Sequence, residues 1–267
     1  MAQASSSSAT RKSAVVTGST SGIGLALAEG FAQAGFNVMM NGFGNADEIE
    51  ANRKRLDGLG EGAVHYNGAD MTKPDQIEAL VAETAERFGG IDVVVNNAGI
   101  QHVEEIEAFP PAKWDAIIAI NLSSAFHIIR FAMPHLKASK AGRIINMASA
   151  HGLVASPYKS AYVAAKHGIV GLTKVVALET AEGAITANAI CPGYVLTPLV
   201  EAQIPDTAEA RGISEEEVKR DVILEAQPTK EFVTVEQLRA MALFLVSEEA
   251  ASITGTALPV DGGWTAQ

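Results

Sequence analysis

The sequence is poor in cysteine and in cationic side chains. Cys191 is the one cysteine in 267 residues, which excludes an intrachain disulfide and a cysteine-rich metal site and fits a reducing compartment. The chain carries 20 lysines and arginines against 31 aspartates and glutamates, a formal net charge of −11. A surface of this sign repels phosphate backbones and anionic membranes, so we expect no nucleic-acid partner. We also expect no bound metal ion.

Long apolar runs are missing as well. No stretch of the sequence reaches the roughly 18 uninterrupted apolar residues that a membrane span needs. Residues 1–10 are rich in serine and alanine and lack the basic-then-apolar order of a secretory signal, which predicts a short disordered tail. Apolar residues still make up 48% of the chain, enough for a large core in one domain over residues 11–267. We therefore expect a cytoplasmic protein without a membrane partner.

Short apolar runs alternate with amphipathic segments along the chain. The predicted strands are residues 13–17, 36–41, 63–66, 91–96, 143–148, 186–190 and 257–260. The first predicted helix has Ile23, Leu27 and Phe31 at helical spacing and stops at Gly35. The other predicted helices cover residues 47–59, 74–88, 112–139, 160–181 and 235–246. This alternation predicts an α/β fold with a doubly wound, Rossmann-type parallel sheet of about seven strands and helices on both faces. The polar segment 197–231 follows the sixth strand, where such folds bind ligands, and is interpreted as a substrate lid or as a plain surface excursion.

A glycine-rich loop follows the first predicted strand. Gly18, Gly22 and Gly24 allow a sharp turn and a close approach to a pyrophosphate, with the next helix pointing its N-terminus at that anion. Alone the loop is a weak signal, but its place between a strand and a helix strengthens it. Residues 96–99 (Asn-Asn-Ala-Gly) end the fourth strand, where small residues leave room for a flat ring; a simple β-turn is the alternative.

Tyr162 and Lys166 lie four residues apart on a predicted helix and therefore share one face. A tyrosine is a poor base at its ordinary pKa of about 10, but a nearby ammonium group favours the phenolate. Ser149 ends the preceding strand, and its hydroxyl is suited to hold a substrate oxygen while Tyr162 transfers the proton. The alternative is an ordinary Tyr/Lys pair on a solvated helix face.

Five motifs in this order and spacing resemble the short-chain dehydrogenase/reductase family. They are residues 17–24, residues 96–99, Ser149, residues 162–166 and Pro192-Gly193, and the resemblance runs from about Arg11 to the C-terminus. It implies Tyr162 as general acid/base, Ser149 as the group that orients the substrate oxygen, and Lys166 as the group that holds the ribose hydroxyls and lowers the tyrosine's pKa. It further implies that Asn121 anchors a water molecule in the proton relay. The expected cofactor-binding residues are Gly18, Thr20, Ser21, Gly22, Ile23, Gly24, Phe43, Asp70, Met71, Asn97, Ala98, Gly99, Tyr162, Lys166, Pro192, Gly193, Val195 and Thr197.

The sequence also bears on which nicotinamide cofactor is bound. The phosphate of NADP needs a cation, and none occurs in residues 17–24 or 39–52, Arg53 being the first basic residue after the second strand. The acid expected for the ribose of NAD is also missing, and the nearest one is Asp47. A buried phosphate without a partner is the larger penalty, so we expect NAD.

Polar residues surround the predicted site. The expected substrate residues are Gln101, Ser149, His151, Lys159, Tyr162, Gln203 and Trp264. Lys159 is suited to pair with a carboxylate, although a solvated position is its alternative. As a set, these residues resemble the substrate site of the bacterial D-3-hydroxybutyrate dehydrogenases within the same family. That resemblance implies interconversion of (R)-3-hydroxybutyrate and acetoacetate. The long helices around Asn121 and Tyr162 resemble those that form tetramers in the family, which implies a homotetramer.

Two other functions stay open at this point. A reductase of a 3-oxoacyl thioester or another ketone needs room for a pantetheine arm and usually NADPH. A non-catalytic dinucleotide-binding sensor is the other, although Asn121, Ser149, Tyr162 and Lys166 are all present.

Overall fold

The computed structural model describes residues 11–201 and 203–266; the tail predicted for residues 1–10 lies outside this part. One sheet contains seven parallel strands in the order β3-β2-β1-β4-β5-β6-β7. The strands are β1 (Ser13–Val16), β2 (Asn37–Asn41), β3 (Val64–Asn67), β4 (Val93–Asn96), β5 (Arg143–Met147), β6 (Thr186–Pro192) and β7 (Ala257–Val260). The order reverses between β1 and β4, which confirms the doubly wound fold and puts a ligand crevice at the carboxyl ends of these strands.

Helices cover both faces of the sheet. They are α1 (Gly22–Gln33), α2 (Ala46–Asp57), α3 (Pro74–Phe88), α4 (Pro111–Ile118), α5 (Ser124–Ala138), α6 (Ser160–Glu179), α7 (Pro198–Glu201), α8 (Gln203–Arg211), α9 (Glu215–Glu217) and α10 (Val235–Leu245). On one face Phe31 of α1 and Leu238 of α10 pack against the strands. On the other face Leu80 of α3 and Leu136 of α5 do the same. Because both faces are buried, the central strands consist almost entirely of apolar residues.

The helix predicted over residues 112–139 is interrupted at Asn121. A π-helical turn, Ala119–Ser123, separates α4 from α5. The buried side chain of Asn121 accepts a hydrogen bond from the Ile100 N–H and donates one to the Ile100 carbonyl, both at 2.9 Å. Such turns often mark functional positions in helices. Here the π-helical turn contains Asn121, whose side chain is hydrogen-bonded to the backbone of the loop after β4.

Two helical stretches, Pro111–Ala138 and α6, have the length and apolar composition of membrane spans. Both pack against the sheet instead, with Ile128 of α5 and Val176 of α6 buried in the same core cluster. Their apolar character is therefore explained by the core. The predicted lid folds as α7, α8, α9 and a π-helical turn, Val218–Ile223.

Candidate active site

Glycines shape the turn between β1 and α1. Gly18 and Gly22 have φ angles of 62° and 53°, which side chains rarely adopt. A Cβ on Gly18 would lie 2.8 Å from the Cα of Ala98, and one on Gly24 would collide with the Gly18 carbonyl oxygen. Ser21 precedes α1 without capping it, and the first turn of α1 carries no acid. The free N–H groups of this turn fit the pyrophosphate of a dinucleotide.

The loop after β4 is bonded directly to the glycine turn. The Asn97 side chain donates to the carbonyls of Thr17 and Gly18, both at 3.0 Å. The Thr17 hydroxyl accepts from the N–H groups of Asn97 at 3.0 Å and Ala98 at 3.1 Å. These bonds hold the two predicted cofactor motifs together at the point where the strand order reverses.

The end of β2 forms the adjoining wall of the crevice. Thr20 donates its hydroxyl to the Phe43 carbonyl at 2.8 Å, and the Phe43 ring is 67% exposed. The carboxylate of Asp70 accepts from the N–H and hydroxyl of Thr72, both at 2.8 Å, and these bonds lower the pKa of Asp70. The side chain of Met71 is buried in the core, so only its backbone is left to face a cofactor.

Tyr162 and Lys166 meet on α6 as predicted. The Lys166 ammonium lies 5.5 Å from the centre of the Tyr162 ring and donates to the Met147 carbonyl at 2.6 Å. Lys166 is only 4% exposed, and this burial lowers the pKa of its ammonium to about 8. The neighbouring thiol of Cys191 is fully buried, which raises its pKa to about 11 and keeps it protonated.

The pKa of Tyr162 differs from the sequence-based expectation. Burial is the largest influence and raises the pKa of the phenol, while a hydrogen bond with Ser149 opposes it. A lowered pKa due to Lys166 was expected, but Lys166 is not among the groups that shift the pKa of Tyr162 here, and the charge of a Tyr194 phenolate would raise it further. The Tyr162 phenol therefore holds its proton firmly in this structure.

Four aromatic side chains and one lysine form a cluster beside Tyr162, called here the ring cluster: His151, Tyr162, Tyr194, Trp264 and Lys159. The Tyr194 and Trp264 rings stack with 5.3 Å between centroids and 7° between planes. His151 meets Trp264 edge-on at 4.9 Å and Tyr162 at 5.9 Å. The Lys159 ammonium lies 5.7 Å from the centre of the Tyr194 ring. Three of the predicted substrate residues are therefore together with the phenol.

His151 is buried, and both of its ring nitrogens face serine hydroxyls. Nδ1 lies 3.4 Å from the Oγ of Ser149, and Nε2 lies 2.9 Å from the Oγ of Ser156. Burial, followed by the charges of Lys159 and His167, lowers the pKa of His151 to about 4. The imidazole is therefore neutral near pH 7, and Ser156 is a polar residue of the site that the sequence patterns did not indicate.

The remaining predicted residues lie around this centre. Pro192 is the last residue of β6, and Gly193, Val195 and Thr197 follow it. A Cβ on Gly22 would lie 3.9 Å from the Thr197 side chain. Gln101 is exposed after the β4 loop, and the side chain of Gln203 lies outside the described residues.

Gln227 was not predicted from the sequence. It is fully buried, accepts from the Tyr194 N–H at 3.0 Å and donates to the Glu231 carbonyl. It therefore fixes the backbone under the ring cluster. A buried glutamine within a polar segment gives no sequence signal of its own.

A crevice fitted to a dinucleotide, with a phenol and an ammonium beside it, defines a nicotinamide-dependent oxidoreductase. A family model described as enoyl-(acyl carrier protein) reductase matches residues 18–265. The chain belongs to the short-chain dehydrogenase/reductase family, as the motifs indicate. Within residues 11–201 and 203–266, no group of three or more His, Cys, Asp or Glu is placed to hold a metal ion.

The chain is similar to two curated bacterial enzymes over nearly its full length. A D-beta-hydroxybutyrate dehydrogenase of Rhizobium meliloti (strain 1021) is 62% identical over 256 residues, covering 96% of this chain and 99% of that protein. One of Cupriavidus necator (strain ATCC 17699) is 57% identical over 257 residues, covering 96% and 98%. The solved structure of L-sorbose reductase from Gluconobacter frateurii, complexed with NADPH and L-sorbose, is 31% identical with a TM-score of 0.91, covering 97% and 98%.

Proposed function

We propose that this enzyme interconverts (R)-3-hydroxybutyrate and acetoacetate with NAD. The observation that carries the proposal is the position of Lys159 in the ring cluster. Its ammonium is half-buried, its pKa is lowered by that burial, and it forms no ion pair within the described residues. A carboxylate of a short acid bound beside Tyr162 would supply the missing partner. The names of the two similar dehydrogenases support the same substrate.

The residues of the site have separable roles in this reaction. The glycine turn, the N-terminus of α1 and Asn97–Gly99 would hold the cofactor, which accepts the hydride from the substrate carbon. Tyr162 removes the hydroxyl proton in oxidation and returns it in reduction. Ser149, which hydrogen-bonds the phenol, orients the substrate oxygen.

Lys166 and Asn121 support the proton transfer by Tyr162 without contacting the substrate. Lys166 uses one of its three N–H bonds on the Met147 carbonyl, which leaves two for the hydroxyls of a ribose. Asn121, bonded to the backbone of Ile100, keeps the helix open at the π-helical turn, where a water molecule of the proton relay would be held.

NAD is favoured over NADP by the surroundings of the β2 end. Arg53, the first basic residue after β2, is bound to the Glu50 carboxylate at 2.8 Å and donates to the Val64 carbonyl at 3.0 Å. It is therefore occupied within α2 and β3. A phosphate on the ribose near Phe43 would lack a cationic partner, which is costly for a group of that charge.

The enzyme is proposed to assemble as a homotetramer. Large apolar side chains are exposed on the α4, α5 and α6 side, including Trp114, Phe126 and Leu178, and Phe244 is exposed on α10. Exposed apolar groups on two separate surfaces support two kinds of subunit contact. Light scattering after gel filtration should give four times the mass of one chain.

Residues 197–231 form short helices beside the site and are proposed to close over the substrate as a lid. The enzyme is proposed to be cytoplasmic.

Initial-rate kinetics test the reaction. The purified enzyme should form NADH from (R)-3-hydroxybutyrate and NAD, with little activity on the (S)-enantiomer or with NADP. Equal rates on both enantiomers, or no turnover of either, would refute the proposal.

A reductase of 3-oxoacyl thioesters or another ketone is the second candidate. A curated 3-oxoacyl-[acyl-carrier-protein] reductase of Staphylococcus epidermidis (strain ATCC 35984), 34% identical over 94% of this chain, supports it, though at lower identity than the two dehydrogenases. Oxidation of NADPH by an acetoacetyl thioester at a higher kcat/KM than NADH oxidation by acetoacetate would establish it instead.

A further inference from the structure

His151 connects two serines that belong to different parts of the site. Ser149 follows β5 and acts to lower the pKa of the neighbouring Tyr162, whereas Ser156 lies in the loop before α6. The Nδ1 atom of His151 lies 3.4 Å from Ser149 Oγ, and Nε2 lies 2.9 Å from Ser156 Oγ. We propose that Ser156 is a positioning residue: it donates its hydroxyl to His151 Nε2 and thereby sets the direction of the Ser149 hydroxyl. This inference rests on the proposed role of Ser149.

The proposal follows from the number of protons available. A neutral imidazole carries one N–H, on either Nδ1 or Nε2. If Ser156 donates to Nε2, the N–H is on Nδ1 and points at Ser149 Oγ. The Ser149 oxygen also accepts from the backbone N–H of His151 at 3.2 Å. Both lone pairs of Ser149 are then used, so its single O–H is left to donate to the substrate oxygen.

The opposite tautomer would weaken the site. With the N–H on Nε2, the imidazole would donate to Ser156, and Nδ1 would accept the hydroxyl proton of Ser149. Ser149 would then have no proton to give to a keto oxygen. The low pKa of His151 excludes a doubly protonated ring near neutral pH, so one of the two tautomers must be selected. Within the described residues, the Ser156 hydroxyl has no acceptor other than Nε2, so its donation there favours the tautomer with the N–H on Nδ1.

The loop that carries Ser156 is held in a defined shape. Pro157 restricts the backbone of Ser156 to extended conformations. Tyr158 has a φ angle of 66°, a left-handed conformation that is uncommon for an aromatic residue, and its carbonyl accepts from the Glu104 N–H at 2.9 Å. Backbone strain of this kind persists only where the surroundings require it and is concentrated at functional sites. These features restrict the backbone of the loop that carries the Ser156 hydroxyl.

Kinetics of serine variants test the inference. Ser156→Ala should lower kcat for (R)-3-hydroxybutyrate by about tenfold, the equivalent of one hydrogen bond, with a smaller change in KM. Ser156→Thr, which keeps a hydroxyl, should restore most of the rate. Ser160→Ala is the matched control, because the buried Oγ of Ser160 has no hydrogen-bond partner in the described structure. In a Ser149→Ala background, Ser156→Ala should have no further effect; an undiminished effect there would overturn the proposal.

Nuclear magnetic resonance of the imidazole nitrogens tests the tautomer without turnover. In ¹⁵N-labelled enzyme, the His151 signals, assigned by their loss in His151→Asn, should show the proton on Nδ1. Ser156→Ala should shift the population towards Nε2. A wild-type ring protonated on Nε2 refutes the inference even if the enzyme oxidises hydroxybutyrate. An Nδ1–H ring in an enzyme inactive on that substrate would instead refute the proposed function.

Discussion

Replacing His151 by asparagine should remove a large acid sensitivity from the stability of the fold. The imidazole is 4% exposed and packs against Trp264 and Tyr162. Its pKa falls from an ordinary value of 6.5 to about 4 in the folded chain, mainly because of burial. Asparagine keeps a donor near the position of Nδ1 but does not titrate, so it isolates the effect of the ring's proton.

The size and direction of the effect follow from that pKa. Above pH 6.5 the ring is neutral in both the folded and the unfolded chain, and its full contribution to stability is present. As the pH falls from 6.5 to about 4, only the unfolded chain binds the proton, so the folded state loses stability. Each pH unit in this window removes about 1.4 kcal/mol, which sums to roughly 3 kcal/mol.

Thermal and denaturant unfolding at several pH values measure this effect. The wild type should lose about 3 kcal/mol more free energy of unfolding than His151→Asn between pH 6.5 and 4. His135→Asn, on α5 outside the ring cluster, should follow the wild type. Parallel pH curves for the wild type and His151→Asn would refute the claim that His151 is held neutral by burial.

Three further changes test the site. Lys159→Met should raise KM for (R)-3-hydroxybutyrate by about 10- to 100-fold through loss of a charge-assisted hydrogen bond, with a smaller change in kcat; an unchanged KM contradicts the carboxylate role. Phe43→Arg should raise kcat/KM for NADP relative to NAD by about tenfold, because a guanidinium binds phosphate, and an unchanged ratio in the same assays contradicts the position assigned to the ribose. Because burial raises the pKa of Tyr162, kcat/KM for oxidation should still be rising with pH above neutrality, whereas a flat profile between pH 7 and 9 contradicts Tyr162 as the base.

The sheet could be predicted from the sequence because its strands are buried on both faces. Runs such as Val93–Asn96 are apolar at every position up to their last residue, and the segments between them have helical periodicity. The π-helical turn at Asn121 could not be predicted. In that turn the Asn121 side chain is hydrogen-bonded to the backbone of Ile100, which is distant in sequence. Local periodicity carries no information about such a contact.

Geometry alone predicts the part of the site whose spacing is local, whereas a residue such as Trp264 was predicted only through the family resemblance. Tyr162 and Lys166 are four residues apart on one helix, so helical geometry alone brings them together. Ser156 escaped prediction because it lies in an irregular loop, where no periodicity indicates which side chain meets His151. The raised pKa of Tyr162 also escaped, since the extent of burial is a property of the whole fold.

The most direct test of the account is the Tyr162→Phe enzyme assayed with (R)-3-hydroxybutyrate and NAD. The substitution removes one oxygen atom and leaves the ring that packs against His151. NAD should still bind with its wild-type affinity, measured by calorimetry, while kcat should fall by a factor on the order of a thousand or more. Turnover within tenfold of the wild type would contradict the assignment of the phenol as the acid and base of the reaction.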